Sequence, residues 1–146
     1  MRRVCAAVAI LLSCLIGGFE AAAPRLKFVV ILTRHGVRAP TWETNRLNQY
    51  SAEPWPDWGV PPANLTPRGR TLMRLMGGYY GEWLAHDKVI DRQSCGSTAH
   101  IYIWADTDQR TLETGKALAE GLLPSCAVRV HSFDGKDDPL DRKSVV

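Results

Sequence analysis

Two arginines and a histidine stand together in Arg34-His35-Gly36-Val37-Arg38, directly after an apolar run. A guanidinium presents a planar fork of donors that fits phosphate oxygens two at a time. An imidazole among such cations can act as a nucleophile or carry a proton. The chemistry these residue types suggest is the handling of a phosphate group. A basic loop with an incidental histidine is the alternative, and the pattern R-H-G-x-R-x-P after an apolar segment argues against it.

Something must position these side chains. Phe28-Val-Val-Ile-Leu32 is short and rich in β-branched residues, the composition of a strand buried on both faces of a parallel sheet. Gly36 permits a sharp turn at its end, and Pro40 prevents the strand from continuing. In open α/β sheets ligands sit beyond the carboxyl ends of strands, so the arginines and the histidine fall where chemistry is expected.

A second place of the same kind follows. His100 to Ala105 alternates like a strand and ends in Asp106-Thr-Asp-Gln-Arg-Thr111, which opens a helix running to about Leu123. Asp106 and Gln109 have the spacing of a capping pair. A helix start presents backbone N–H groups and positive dipole to an anion, which makes Arg110 a candidate third phosphate ligand. On the residues alone, Arg110 is equally a surface arginine in a first helical turn. Cys126 to Ser132 reads as a third strand, and His131 on it has no assigned role.

Between the two blocks, Trp42 to Asn64 reads as a long proline-rich loop, whose tryptophans either line a pocket mouth or pin the loop down. Thr66 and Pro67 then start a helix. Its stripe of Leu72, Leu75, Met76, Tyr79, Tyr80, Trp83 and Leu84 predicts core packing, and Gly77, Gly78 and Gly81 predict close approach of a neighbour. His86 falls at the surface near the helix end. The order β-α-β-α-β predicts an α/β fold, the start of a doubly wound sheet with helices on both faces.

Composition adds bounds. The chain has 146 residues, 45% hydrophobic and 23% charged, enough for one modest domain. A net charge of +3 is too small to imply nucleic acid or an anionic membrane as partner. Met1 to Ala23 has a basic start, an apolar centre and small residues before Pro24, the pattern of an export signal. A membrane anchor is the competing reading, but the run is short and holds Gly17 and Gly18. The expectation is a periplasmic or secreted protein with no stable membrane association after cleavage.

The stretches R-H-G-V-R-A-P-T (34–41) and A-D-T-D-Q-R-T-L-E-T-G (105–115) together resemble the histidine acid phosphatases. This branch of the histidine phosphatase superfamily includes bacterial phytases and periplasmic sugar phosphatases. The mutase branch shares only R-H-G. The resemblance implies an α/β domain with a smaller helical domain, and hydrolysis of phosphate monoesters through a phosphohistidine. It implies His35 as nucleophile, Arg34, Arg38 and Arg110 as phosphate ligands, and Thr41 as a substrate contact. Trp42 stands where phytase-like members often carry a basic residue, so the substrate, a sugar phosphate or an inositol phosphate, stays open. Neither cofactor nor metal is expected. The family's proton donor, an aspartate in a downstream His-Asp pair, matches no position in this chain.

The resemblance further implies a longer protein, with residues 24–140 the amino-terminal part of its α/β domain. Asp141-Arg-Lys-Ser-Val-Val146 reads as a non-native tail, because a common sequencing adapter followed by a stop encodes it. Such a piece is expected to be inactive alone. An inert or phosphate-binding remnant and a mutase-type member are the alternatives. Cys95 and Cys126 remain after signal removal and would form one disulfide in an exported chain, with two free thiols as the alternative; the resemblance favours the bridge.

Overall fold

The structure is a computed structural model that describes residues 25–133. The expected export signal and the expected non-native tail lie outside the described residues. The elements are α1 (Thr44–Leu47), α2 (Pro67–His86), β1 (Ile103–Trp104), α3 (Gln109–Leu122) and β2 (Val130–His131), with 3-10 turns at Asn48–Tyr50 and Cys95–His100. β1 and β2 pair in parallel, Ile103 beside Val130 and Trp104 beside His131, and α3 crosses between them. That is a βαβ unit, so the α/β class holds.

α2 begins as its sequence dictates. Thr66 is the N-cap and accepts from the amide of Gly69 at 3.0 Å, with Pro67 in the first helical position. The helix then turns its glycines, not its apolar stripe, toward α3. A Cβ on Gly77 would lie 2.2 Å from the Leu118 carbonyl oxygen, and one on Gly121 would lie 1.9 Å from that of Arg74. The two backbones touch, which no larger residue would allow. Met73 and Leu84 are buried with the glycines, whereas Leu72, Leu75, Met76, Tyr79 and Trp83 stay exposed. The expected core stripe is therefore corrected in part: close glycine packing fixed the helix rotation and left five of its seven residues outward, with Leu84 buried and Tyr80 half-buried. Arg70 on α2 bonds Glu120 on α3, which holds its pKa above the ordinary value. His86 ends α2 exposed, beside Asp87.

Three further expectations change. The loop after Trp42 contains a helical turn, α1, where Arg46 stacks 3.8 Å above the Trp42 ring. α3 is capped at Asp108, not Asp106, because Gln109 turns its side chain to the Leu65 amide instead of closing a capping box. Phe28 to Leu32 forms no ladder, and Leu32 is 96% exposed. A strand needs hydrogen-bonded neighbours about 4.8 Å away, and no described segment supplies one there.

α3 covers one face of the β1/β2 pair. On the other face Tyr102 and Trp104 are exposed, with Tyr102 stacked 4.5 Å from His131. The expected helices on both faces are thus seen on one face among the described residues. Cys95 and Cys126 form a disulfide with Cα atoms 5.4 Å apart, tying the turn before β1 to the segment after α3.

Candidate active site

The turn that carries His35 is held from two directions. Gly36 fits against α2, where a Cβ would meet Met73 Cγ at 2.7 Å and the Gly69 carbonyl oxygen at 3.0 Å. Its glycine serves this approach, since Gly36 does not adopt a positive φ. From the other side, the Gly36 amide donates to Thr114 Oγ1 at 3.0 Å, and the same hydroxyl donates to the Arg110 carbonyl at 2.7 Å. Thr114 is buried on α3, one turn after Arg110. One hydroxyl therefore fastens the first motif block to the second.

The residues after His35 are strapped to the start of α2. Thr66 donates to the Val37 carbonyl through both its amide and its hydroxyl, each at 2.9 Å. Ala39 donates to the Asn64 carbonyl at 2.9 Å, and Leu65 donates to Gln109 Oε1 at 2.9 Å. Gln109 thus makes a second tie between the blocks. Sequence reasoning missed Thr114, Thr66 and Gln109 in these roles. The signal for Thr114 was its position four residues after Arg110, on one helix face.

His35 is half-buried, with Nδ1 2.8 Å from its neighbour Gly36's carbonyl oxygen. A carbonyl only accepts, so in the neutral ring Nδ1 carries the proton and Nε2 the lone pair. Arg38 is half-buried, and its Nη1 donates to the Ala39 carbonyl at 2.7 Å. Arg110 pairs through Nη2 with Asp108, while its Nε is buried without a partner among the described residues. Arg34 and Thr41 are exposed and make no side-chain hydrogen bond to described residues. The structure therefore joins His35, Arg38 and Arg110 through their backbones and gives Arg34 and Thr41 no such tie. Among the described residues no three His, Cys, Asp or Glu side chains converge as a metal site would need.

A cavity of about 700 Å³ reaches His35, Asp106 and Thr114 at one end. Arg34, Arg38 and Arg110 do not line it. Most of its wall is apolar.

The chain is similar to proteins of known class. Phytase AppA of Escherichia coli (strain K12) is 41% identical over 123 residues, covering 83% of this chain and 28% of that protein. A glucose-1-phosphatase of Providencia rettgeri is 35% identical over 115 residues, covering 77% and 28%. The chain thus spans 28% of the length of these curated relatives. Among solved structures, the phytase from Citrobacter braakii superposes with a TM-score of 0.71 at 42% identity, covering 80% of this chain and 29% of that one. The Hafnia alvei phytase in complex with myo-inositol hexakis sulphate gives 0.70 at 41% identity, covering 76% and 27%. The family model of the histidine phosphatase superfamily (branch 2) matches residues 25–145. The chain belongs to the histidine phosphatase superfamily, branch 2.

Proposed function

We propose that this chain carries the nucleophile and phosphate-binding half of an exported phosphatase that hydrolyses small phosphate monoesters. The observation that carries this reading is the Thr114 bridge, which draws the His35 turn against the helical turn bearing Arg110. Arg34, Arg38 and Arg110 hold the phosphate by charge-assisted hydrogen bonds and stabilise charge on its oxygens during transfer. The buried, unpartnered Nε of Arg110 is a donor suited to such an acceptor.

His35 attacks phosphorus through Nε2, in line with the departing alcohol. The Nδ1 proton shared with the Gly36 carbonyl fixes that tautomer and the ring orientation. Water then releases phosphate from the phosphohistidine. The proton for the leaving alcohol comes from a group outside this chain.

Export to the periplasm or beyond is supported by the pattern of Met1 to Ala23 and by the Cys95–Cys126 disulfide, a bond of oxidising compartments. Thr41 contacts the substrate beyond the phosphate. The relatives named above are phytases and a glucose-1-phosphatase, which supports inositol or sugar phosphates as substrates. Trp42 is not itself basic, but Arg46 over its ring returns a cation to that place, which favours a polyanionic substrate.

The test is a chimera in which residues 25–133 replace the matching segment of the Escherichia coli phytase. It should release phosphate from phytate, glucose 1-phosphate and p-nitrophenyl phosphate, and His35→Ala should abolish release. A folded chimera that binds phosphate without turnover would support a phosphate-binding remnant instead.

A further inference from the structure

Asp108 precedes α3 and serves as its N-cap through the backbone. Its carbonyl accepts from the amides of Thr111 and Leu112 at 3.0 and 3.1 Å, and from the Thr111 hydroxyl at 2.7 Å. An aspartate at this position ordinarily turns its carboxylate back to the amides of the first turn. Here the carboxylate makes no such bond. It reaches forward instead, to Nη2 of Arg110. The helix forgoes part of its cap, and one guanidinium is held.

Arg110 differs in this from the other two arginines of the site. Arg38 rests on a neutral group, the Ala39 carbonyl, and Arg34 makes no side-chain hydrogen bond to described residues. Of the three, Arg110 alone has an anionic partner among the described residues. The side chains of Arg110 and Asp108 are 25% and 27% exposed, so solvent screens them less than it would a surface pair. The Arg110 backbone is fixed separately, by the Thr114 hydroxyl on its carbonyl. What the carboxylate fixes is the direction of the fork, whose Nε is buried without a partner among the described residues.

A phosphate on Arg110 and the Asp108 carboxylate are two anions on one cation. Their repulsion weakens phosphate binding roughly tenfold even at the dielectric constant of water. It acts on substrate and on inorganic phosphate alike, and inorganic phosphate is the species that must leave. We propose that Asp108 is a positioning residue that also speeds release. It aims Arg110 between turnovers, yields Nη2 to the incoming phosphate group and reclaims it as inorganic phosphate departs. The exchange swaps hydrogen-bond partners on Nη2, and no covalent bond forms or breaks. This inference rests on the phosphatase reading above and adds a residue to it.

Asparagine is the informative replacement. It caps a helix as well as aspartate does and keeps an acceptor for Arg110, but it carries no charge. In the full 146-residue chain, inorganic phosphate is titrated while the Arg110 Nε–H signal is followed by proton–nitrogen correlation NMR. Asp108→Asn should lower the dissociation constant of phosphate about tenfold. Asp106→Asn removes the same charge nearby, from a carboxylate that accepts from Thr107 instead, and should give a much smaller gain. In the chimera described above, Asp108→Asn should lower KM and the inhibition constant of phosphate together, while kcat/KM holds or rises. A merely structural lesion would lower kcat/KM and weaken phosphate.

Circular dichroism establishes that each variant is folded, and Asp108→Ser, a cap of similar quality without charge, replaces an asparagine variant that is not. Where the chain alone does not saturate with phosphate, the inhibition constant in the chimera decides. Phosphate affinity that is unchanged or weaker in the folded variant overturns the proposal. So does an equal gain from Asp106→Asn, because net charge alone would then explain it. Turnover and phosphate binding without the Asp108 effect overturn this inference only; no phosphate binding by either the chain or the chimera overturns the phosphatase reading with it.

Discussion

The amide of Gly36 and the hydroxyl of Thr114, 78 residues apart in sequence, are joined by a 3.0 Å hydrogen bond inside the fold. The hydroxyl also donates to the Arg110 carbonyl, so neither position can shift without the other. Thr114→Val in the chimera keeps the shape but removes both bonds and leaves a buried amide unpaired, at a cost of about 1–3 kcal/mol. Urea unfolding should show that loss. kcat should fall by a larger factor than KM rises, because the His35 turn loses its alignment while the arginines remain. Thr114→Ser should restore most of kcat; a serine variant as impaired as valine would contradict the positioning role.

The close crossing of α2 and α3 gives a second, signed prediction. Alanine is favoured over glycine in a helix by about 1 kcal/mol. At Gly78 an added Cβ would meet nothing nearer than 3.9 Å, so Gly78→Ala should be neutral or stabilising. At Gly121 the same Cβ would lie 1.9 Å from the Arg74 carbonyl oxygen and must force the helices apart. Overpacking of this kind costs about 1–3 kcal/mol or more, which exceeds the propensity gain. Denaturant midpoints of the two chimeric variants should therefore move in opposite directions, or Gly121→Ala alone should move down.

Local elements were more legible in the sequence than the packing was. Thr66, Pro67 and the run to His86 specify a helix by local rules, and the helix forms as written. Which side it buries depends on a partner more than 30 residues away, and there close glycine packing left five of the seven apolar residues exposed. Phe28 to Leu32 has the composition of a buried strand, but a strand is a relation between segments, and β1 pairs on its other side. Likewise R-H-G-x-R-x-P singled out the candidate turn, while the tie to Arg110 runs through a threonine that no motif singled out.

The disulfide closes a loop with a sequence separation of 31 residues. Replacing Cys95 and Cys126 together by serine should cost about 3–4 kcal/mol through the freedom returned to the unfolded chain. The chimera should then unfold at a lower denaturant concentration, and reduction of the parent chimera should reproduce the shift. Equal stability with and without reductant would contradict it.

Thr66 caps α2 and grips the Val37 carbonyl at once. Thr66→Ala should cost about 1–2 kcal/mol, the usual loss for an N-cap. Because the same hydroxyl holds the turn between His35 and Arg38, phosphate inhibition should weaken as well. Thr71→Ala, a helix hydroxyl on the exposed side, serves as the control and should leave inhibition unchanged.

If His35 forms the covalent intermediate, labelled phosphate can be trapped on it in the chimera during turnover. After quenching in alkali and digestion, the label should lie on the peptide containing His35, stable to base and lost in acid. The label should be absent from the His35→Ala variant while that variant still binds phosphate. Label retained in the alanine variant, or carried by any other peptide, would contradict the assignment.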